Sequence, residues 1–147
     1  MDGIIVKVKK LNEDFVMPLK ATEFSSGFDL YANIKEKIMI KPLERKLINS
    51  GMIMEIPNGY EGQIRPRSSL ALKNGVTVLN SPGTIDCDYR GEVKILLINL
   101  SPDEFVIQSG DRIAQIVFTK VSDVKILEMD SFQDTVRGDG GFGSTGK

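Results

Sequence analysis

Residues 81–100 read SPGTIDCDYRGEVKILLINL, which is a turn-forming Ser-Pro-Gly, a polar segment and then a short, dense apolar run. The run Ile95-Leu96-Leu97-Ile98 is far shorter than the ~18 residues that would span a bilayer, and it fits a strand. Similar short apolar runs recur along the chain between turn-forming residues, and long helical periodicity is missing. This spacing is typical of an all-β sandwich, barrel or jelly roll.

The turn-forming residues between the apolar runs divide the chain into short predicted elements. One helical turn or two is expected at 69–73, opened by a serine cap and closed near Gly75. The predicted strands are 4–8, 37–40, 46–48, 52–56, 63–64, 76–79, 92–100, 105–107, 112–118 and 124–127.

Length and composition indicate one soluble globular domain. The chain has 147 residues, of which 41% are apolar and 27% charged, with a net charge of -1. The near-neutral charge argues against nucleic-acid binding, which usually requires a strongly basic face. The first residues lack a basic segment followed by a long apolar one, so we expect no signal peptide and no membrane attachment. We therefore expect a cytoplasmic protein.

The chain contains no histidine and a single cysteine, Cys87. These absences exclude a Ser-His-Asp triad, a histidine base, a His-ligated metal, an internal disulfide and a Cys-rich zinc site. Chemistry must therefore rest on carboxylates, arginines, hydroxyls, backbone amides or a metal held by oxygen. Cys87 is interpreted as a small strand residue, because no histidine is available to activate its thiol.

Five of the six arginines lie in or near probable loops beside glycine, proline or serine, whereas the lysines are spread along the chain. Because a guanidinium binds phosphate oxygens two at a time, this placement indicates a polyphosphate ligand. Each arginine taken alone fits a solvated surface charge better, and the five together weaken that alternative without removing it. Arg65 and Arg67 share a face if their strand persists through Pro66. Arg112 and Gln115 fall on opposite sides of their strand by parity, and Asp111 with Arg112 also fits a structural ion pair.

Asp86 and Asp88 alternate beside Tyr89 in the segment 85–91. In a chain without histidine, an aspartate is the natural general base, since it is ionised at neutral pH. A turn in which both aspartates cap backbone amides explains the segment equally well.

The last ten residues include five glycines. Composition alone favours a disordered terminal tail. Arg137, Ser144 and Thr145 around the single ring of Phe142 also fit a phosphate-binding lid with a stacking platform.

Together these segments resemble the five ordered motifs of the trimeric dUTP diphosphatases. The small departures are Ser26, where alanine is commoner, and Cys87, which occupies a variable place. The matching segments are 26–32 (SGFDLYA), 63–71 around Pro66-Arg67-Ser68-Ser69, 80–91 around Ile85-Asp86, 110–115 (GDRIAQ) and 137–146 (RGDGGFGSTG).

The resemblance implies an all-β jelly-roll or β-clip-like barrel with one short helix, with a single domain at 1–136 and a flexible glycine-rich lid at 137–147. It implies Mg²⁺-assisted hydrolysis of dUTP to dUMP and pyrophosphate, which keeps uracil out of DNA and supplies dUMP for dTMP synthesis. It also implies a homotrimer whose active sites are shared between subunits, with Mg²⁺ held by substrate phosphates and water rather than by direct protein ligands.

Site residues follow by motif position. Asp86 matches the aspartate that activates the attacking water, and Tyr89 matches the ring that supports deoxyribose and leaves no room for a 2′-hydroxyl. Asp29 and Arg112 match supporting residues, Asp29 as a carboxylate near the arginine and metal-water network. The residues that match the family's uracil pocket are Asn80, Gly83, Thr84 and Ile85. Those that match its phosphate contacts are Arg67, Ser68, Ser69 and Gln115. Those that match the substrate contacts of its C-terminal tail are Arg137, Phe142, Gly143, Ser144 and Thr145.

Two rival functions share this scaffold. A dCTP deaminase has a similar Arg-Ser-Ser segment but needs a glutamate on the strand after the third motif, and Lys94-Ile95-Leu96-Leu97-Ile98 provides none. A catalytically idle or regulatory nucleotide-binding protein is disfavoured by the presence of Asp86, Arg67 and the whole fifth motif.

Overall fold

The computed structural model describes residues 3–143 and confirms an all-β fold with one short helix. Its elements in chain order are β1 (Lys7–Lys10), β2 (Phe28–Tyr31), β3 (Ile38–Ile40), β4 (Arg45–Glu55), β5 (Tyr60–Arg65), α1 (Ser68–Asn74), β6 (Val76–Val78), β7 (Gly83–Ile85), β8 (Glu92–Asn99), β9 (Phe105–Ile107) and β10 (Arg112–Lys120).

The strands form two four-stranded antiparallel sheets and a small third sheet. One sheet has the order β1-β4-β8-β6, the other has the order β2-β10-β5-β7, and β3 pairs with β9. Neighbours in each sheet are mostly distant in sequence, as expected for a jelly roll rather than a meander of hairpins.

Strand β8 shows why the sequence folds this way. Val93, Ile95 and Leu97 are buried, whereas Lys94 between them is exposed, so the period-2 pattern turns one face towards the core. Buried residues of both large sheets, including Ile48 of β4 and Ile116 of β10, join the same apolar cluster. Burial of this cluster between the sheets is the main driving force of the fold.

The helix begins one residue earlier than predicted and has no serine cap. Its N-cap is Arg67 in an extended conformation, and no side chain caps the first turn, so the predicted cap is wrong. The end is as expected: Gly75 has φ 62° and its N–H donates to the carbonyls of Ala71 and Leu70, a left-handed C-cap that favours glycine.

Several predicted strands differ from the observed ones. The runs at 46–48 and 52–56 belong to one strand, β4, which shifts register between Asn49 and Ile53. The first strand begins at Lys7 rather than residue 4. Residues 124–127 form no strand and are exposed, so that prediction is wrong. The short strands β2 and β7 were not predicted, because turn-forming residues directly precede β2 and begin β7.

Residues 121–143 contain neither helix nor strand. Seven large apolar side chains between positions 121 and 136 are exposed to solvent. Within residues 3–143, no helix is long and apolar enough to cross a membrane.

Candidate active site

One group of predicted site residues meets where β5 runs into α1. Arg67 Nε lies 3.3 Å from Asp29 Oδ1, and Arg112 Nη1 donates to Asp29 Oδ2 at 3.2 Å. Arg67 Nη1 also donates to the backbone carbonyl of Arg112 at 3.0 Å. The Asp29 side chain is only 14% exposed, so one carboxylate orients two guanidinium groups. We call Asp29, Arg67, Arg112 and Gln115 the arginine corner.

Gln115 belongs to this corner because of a bulge in β10. The pairing of β10 with β2 shifts register between Arg112 and Ala114, and Gln115 then lies opposite Asp29. The extra residue cancels the alternation, so the predicted placement of Arg112 and Gln115 on opposite sides is wrong. Gln115 Nε2 donates to the Pro66 carbonyl at 2.9 Å, which ties β10 to the start of the Arg67 segment.

A notch at Gly27 makes room for the Gln115 side chain. A Cβ at Gly27 would lie 2.3 Å from Gln115 Oε1, closer than any real contact. Gly27 of the first motif is therefore needed because the Gln115 side chain of the fourth motif lies where a Cβ would be, and not because the backbone at Gly27 requires the conformational freedom of glycine.

Arg65 does not join the arginine corner. Strand β5 ends at Arg65, and the Arg65 guanidinium donates to Gln63 Oε1 at 2.6 Å. The strand therefore does not persist through Pro66, which was the condition for Arg65 and Arg67 to share a face. Ser68 is exposed and Ser69 half-buried at the start of α1, next to Arg67.

A second group forms a pocket at the hairpin of β7. The turn closes through Tyr89 N, which donates to the Asp86 carbonyl at 3.1 Å, so both side chains belong to one turn. A cavity of about 300 Å³ adjoins this turn, and we call it the hairpin pocket. Its lining residues are Thr84, Ile85, Asp86 and Tyr89 from the hairpin, with Leu47, Glu92 and Lys94 from β4 and β8.

The carboxylate of Asp86 is free to act on a ligand. It is exposed and, within the described part of the chain, no side chain or backbone N–H bonds to it, and Asp88 is equally free. The alternative in which both aspartates cap backbone amides is therefore wrong for these residues. Asp86 also borders a larger cavity of about 1130 Å³ beside Cys87 and Asp88. Cys87 lies in this turn and not in a strand, so that prediction is wrong. It packs against the apolar core, and its Sγ lies 4.0 Å from Asn58 Oδ1.

Asn80 and Gly83 complete the hairpin from the other side. Gly83 is buried, and a Cβ there would lie 3.1 Å from Asn80 Nδ2. The Asn80 side chain therefore lies against the start of the strand that carries Thr84 and Ile85.

The hairpin pocket and the arginine corner lie towards opposite ends of β5. Ile85 pairs with Gly62 and Gly83 pairs with Ile64. Strand β7 is therefore closest to Arg65 at Gly83, and the distance from Arg65 increases towards Asp86. From Gly62 to Arg65 the strand advances about 10 Å, and Arg67 lies beyond it. Asp86 and Arg67 are therefore separated along the sheet by more than about 10 Å.

The tail residues within the described range contact neither group. Arg137 Nε donates to the Gly140 carbonyl at 2.9 Å within its own turn, and Phe142 is fully exposed. Gly143 follows with φ 88°. Ser144 and Thr145 lie outside the described residues.

A family model described as dUTPase matches residues 13–146. The chain belongs to the dUTPase family. Deoxyuridine 5′-triphosphate nucleotidohydrolase from Hydrogenobaculum sp. (strain Y04AAS1) is 56% identical over 139 residues, covering 95% of this chain and 96% of the relative. The enzyme of the same name from Aquifex aeolicus (strain VF5) is 55% identical, covering 99% of each chain.

Known structures of dUTPases also share the fold. The Staphylococcus bacteriophage 80alpha dUTPase G164S mutant with dUpNHpp aligns with a TM-score of 0.87 at 24% identity, covering 97% of this chain and 99% of that one. At this identity the likeness establishes the jelly-roll architecture alone.

Sequence reasoning missed three residues that line the hairpin pocket of this dUTPase-family chain. Leu47, Glu92 and Lys94 come from paired strands of the other sheet, and no local motif signals their position. Only the register of β4 against β8 places them beside Asp86.

Proposed function

We propose that this chain hydrolyses dUTP to dUMP and pyrophosphate, with Asp86 activating the water that attacks the α-phosphate. The observation that carries the proposal is the open Asp86 carboxylate at the edge of the hairpin pocket, in one turn with Tyr89. Membership of the dUTPase family and relatives named deoxyuridine 5′-triphosphate nucleotidohydrolase support the choice of substrate.

The hairpin pocket is proposed to hold the deoxyuridine. Asn80 and the backbone of 80–86 offer hydrogen bonds to the uracil edge, so a cytosine would leave polar groups unpaired, which strongly disfavours it. A tight pocket disfavours the extra methyl of thymine more weakly. The Tyr89 ring forms the wall against the sugar.

The arginine corner is proposed to bind the phosphates. Asp29 holds the guanidinium groups of Arg67 and Arg112 in place, and Arg112 remains 51% exposed and open to a ligand. Ser68, Ser69 and Gln115 lie beside Arg67. Phosphoryl transfer needs alignment and neutralisation of charge on oxygens rather than covalent help, which this set of donors supplies.

The donor set also fits assistance by Mg²⁺ held on substrate. Asp29 is occupied by two arginines, whereas Asp86 has free carboxylate oxygens that can orient water. Mg²⁺ prefers oxygen ligands, keeps several waters and neutralises phosphate charge, so it requires no dense cluster of protein ligands. In this proposal Asp86 accepts the proton of the attacking water, because the chain contains no imidazole.

A complete site is proposed to need more than one chain. Asp86 and Arg67 lie towards opposite ends of β5, so the hairpin pocket of one chain must meet the arginine corner of another. The exposed apolar side chains at 121–136 supply surface for such an assembly. We therefore propose a homotrimer in which residues 1–136 form the domain and residues 137–147 act as a lid over a shared site.

Deleting residues 137–147 is expected to lower kcat/KM for dUTP at least about tenfold, since each charge-assisted hydrogen bond to phosphate contributes about 1.5–3 kcal/mol. The domain should remain folded and assembled, because among residues 3–143 Arg137 bonds only within its own turn and the Phe142 side chain is fully exposed. Steady-state kinetics, thermal unfolding and sedimentation of the truncated chain check both parts. Loss of folding on truncation would show that the tail is structural.

Pyrophosphate release from dUTP, UTP, dTTP and dCTP with Mg²⁺, before and after chelation, tests the proposed function. We expect turnover of dUTP alone at an appreciable rate, and its loss on chelation. Comparable turnover of all four nucleotides contradicts the specificity, and release from none favours the binding-only alternative. Unchanged activity after chelation contradicts the role of Mg²⁺.

A further inference from the structure

The Tyr89 ring lies directly on the backbone of Gly91. A Cβ at Gly91 would lie 2.3 Å from the Tyr89 hydroxyl oxygen, 2.5 Å from Cζ and 2.9 Å from Cε2. All three distances are below any real Cβ contact, and the obstructing atoms belong to a rigid ring. Any side chain at position 91 must therefore displace the ring as a whole.

The same ring is held at its far end by a hydrogen bond. The Tyr89 hydroxyl donates to the Glu92 carbonyl at 3.1 Å. Glu92 is itself fixed, because it begins β8, pairs with Ile53 of β4 and accepts a hydrogen bond from Gly51 N at 3.0 Å through Oε1. The ring is therefore anchored to the start of β8, an inner strand of its sheet, although it is 44% exposed.

We propose that Gly91 is a positioning residue that sets the preference for deoxyribose over ribose by acting through Tyr89. Without a side chain, Gly91 lets the ring lie flat against the backbone as one wall of the hairpin pocket, facing the sugar. A displaced ring no longer forms that wall. The inference rests on the proposed hydrolysis of dUTP and goes beyond it by naming what holds the discriminating ring.

The test compares kcat/KM for dUTP and UTP in wild-type protein, Gly91→Ala, Tyr89→Ala and the double variant. Gly91→Ala is expected to lower the dUTP/UTP ratio at least about tenfold, a size typical of lost pocket complementarity. In the Tyr89→Ala background the same substitution should change the ratio by less than about twofold, because residues acting as a unit are not additive.

Gly62→Ala is the matched control. Its Cβ would lie 2.8 Å from Ile116 Cδ1 in the core, so it crowds the core at β5, in the other large sheet, and its nearest neighbours do not include Tyr89. We expect it to lower the unfolding temperature and leave the dUTP/UTP ratio unchanged. A fall of the ratio in Gly62→Ala equal to that in Gly91→Ala would overturn the inference, since general crowding would then explain both.

Tyr89→Phe keeps the inference testable if Gly91→Ala does not fold. It removes the hydroxyl but leaves the ring seated over Gly91, so the ratio should change by less than about threefold. Loss of discrimination in Tyr89→Phe would show that the hydrogen bond to Glu92, and not the glycine, places the ring. A wild-type protein that does not hydrolyse dUTP contradicts the proposed function. A selective wild type with an unchanged ratio in Gly91→Ala contradicts only this inference.

Discussion

Asp86→Asn is expected to abolish dUTP turnover while leaving dUTP binding nearly intact. The amide keeps the size of the carboxylate but cannot accept a proton from water. Loss of a positioned general base lowers kcat by about 10²- to 10⁴-fold. Binding should persist, because the remaining lining of the hairpin pocket comes from other residues, including Tyr89 and Ile85.

The measurement is kcat from pyrophosphate release together with Kd for dUTP from calorimetry. Asp88→Asn is the matched control, because Asp88 is also exposed but borders the larger cavity and does not line the hairpin pocket. We expect its kcat to stay within about twofold of wild type. An Asp86→Asn variant that keeps more than about a tenth of the wild-type kcat contradicts the assignment of the base.

The sequence predicted the architecture well where one face of a strand is buried. In β8, Val93, Ile95 and Leu97 alternate with outward residues, and the observed strand ends one residue before the predicted end. Strand β9 has the predicted bounds. Strands β2 and β7, which carry Asp29 and Ile85, were missed because turn-forming residues directly precede the first and begin the second.

The site was harder to predict, because its geometry depends on irregularities. The bulge in β10 puts Arg112 and Gln115 in the same corner, and parity alone separates them. Pro66 directs Arg67 away from Arg65 and towards Asp29. The pairing of β7 with β5 separates Asp86 from Arg67 along the sheet, and no sequence pattern records that separation.

The assignment of roles to the tail remains a prediction. Arg137, Phe142 and Gly143 lie within the described residues but touch neither the hairpin pocket nor the arginine corner. This arrangement fits a lid that closes only on bound nucleotide, which excludes water during the reaction and opens for product release.

The central claim is that Asp86 of one chain acts on phosphates held by Arg67 of another. Asp86→Asn and Arg67→Ala should each give an inactive assembly, since removal of a charge-stabilising donor such as Arg67 costs about 10²-fold or more. The Asp86→Asn chain still supplies Arg67, and the Arg67→Ala chain still supplies Asp86. Mixed assemblies can therefore contain intact sites.

The decisive measurement is dUTP hydrolysis by the two inactive variants after joint refolding at equal concentrations, with sedimentation to verify assembly. If sites form between chains, random mixing makes about a quarter of them intact, and activity should return to about a quarter of the wild-type value. If Asp86 and Arg67 of the same chain form each site, every site contains one of the two inactivating substitutions. Activity that stays at the level of the separate variants, in assemblies shown to be mixed, would contradict the account.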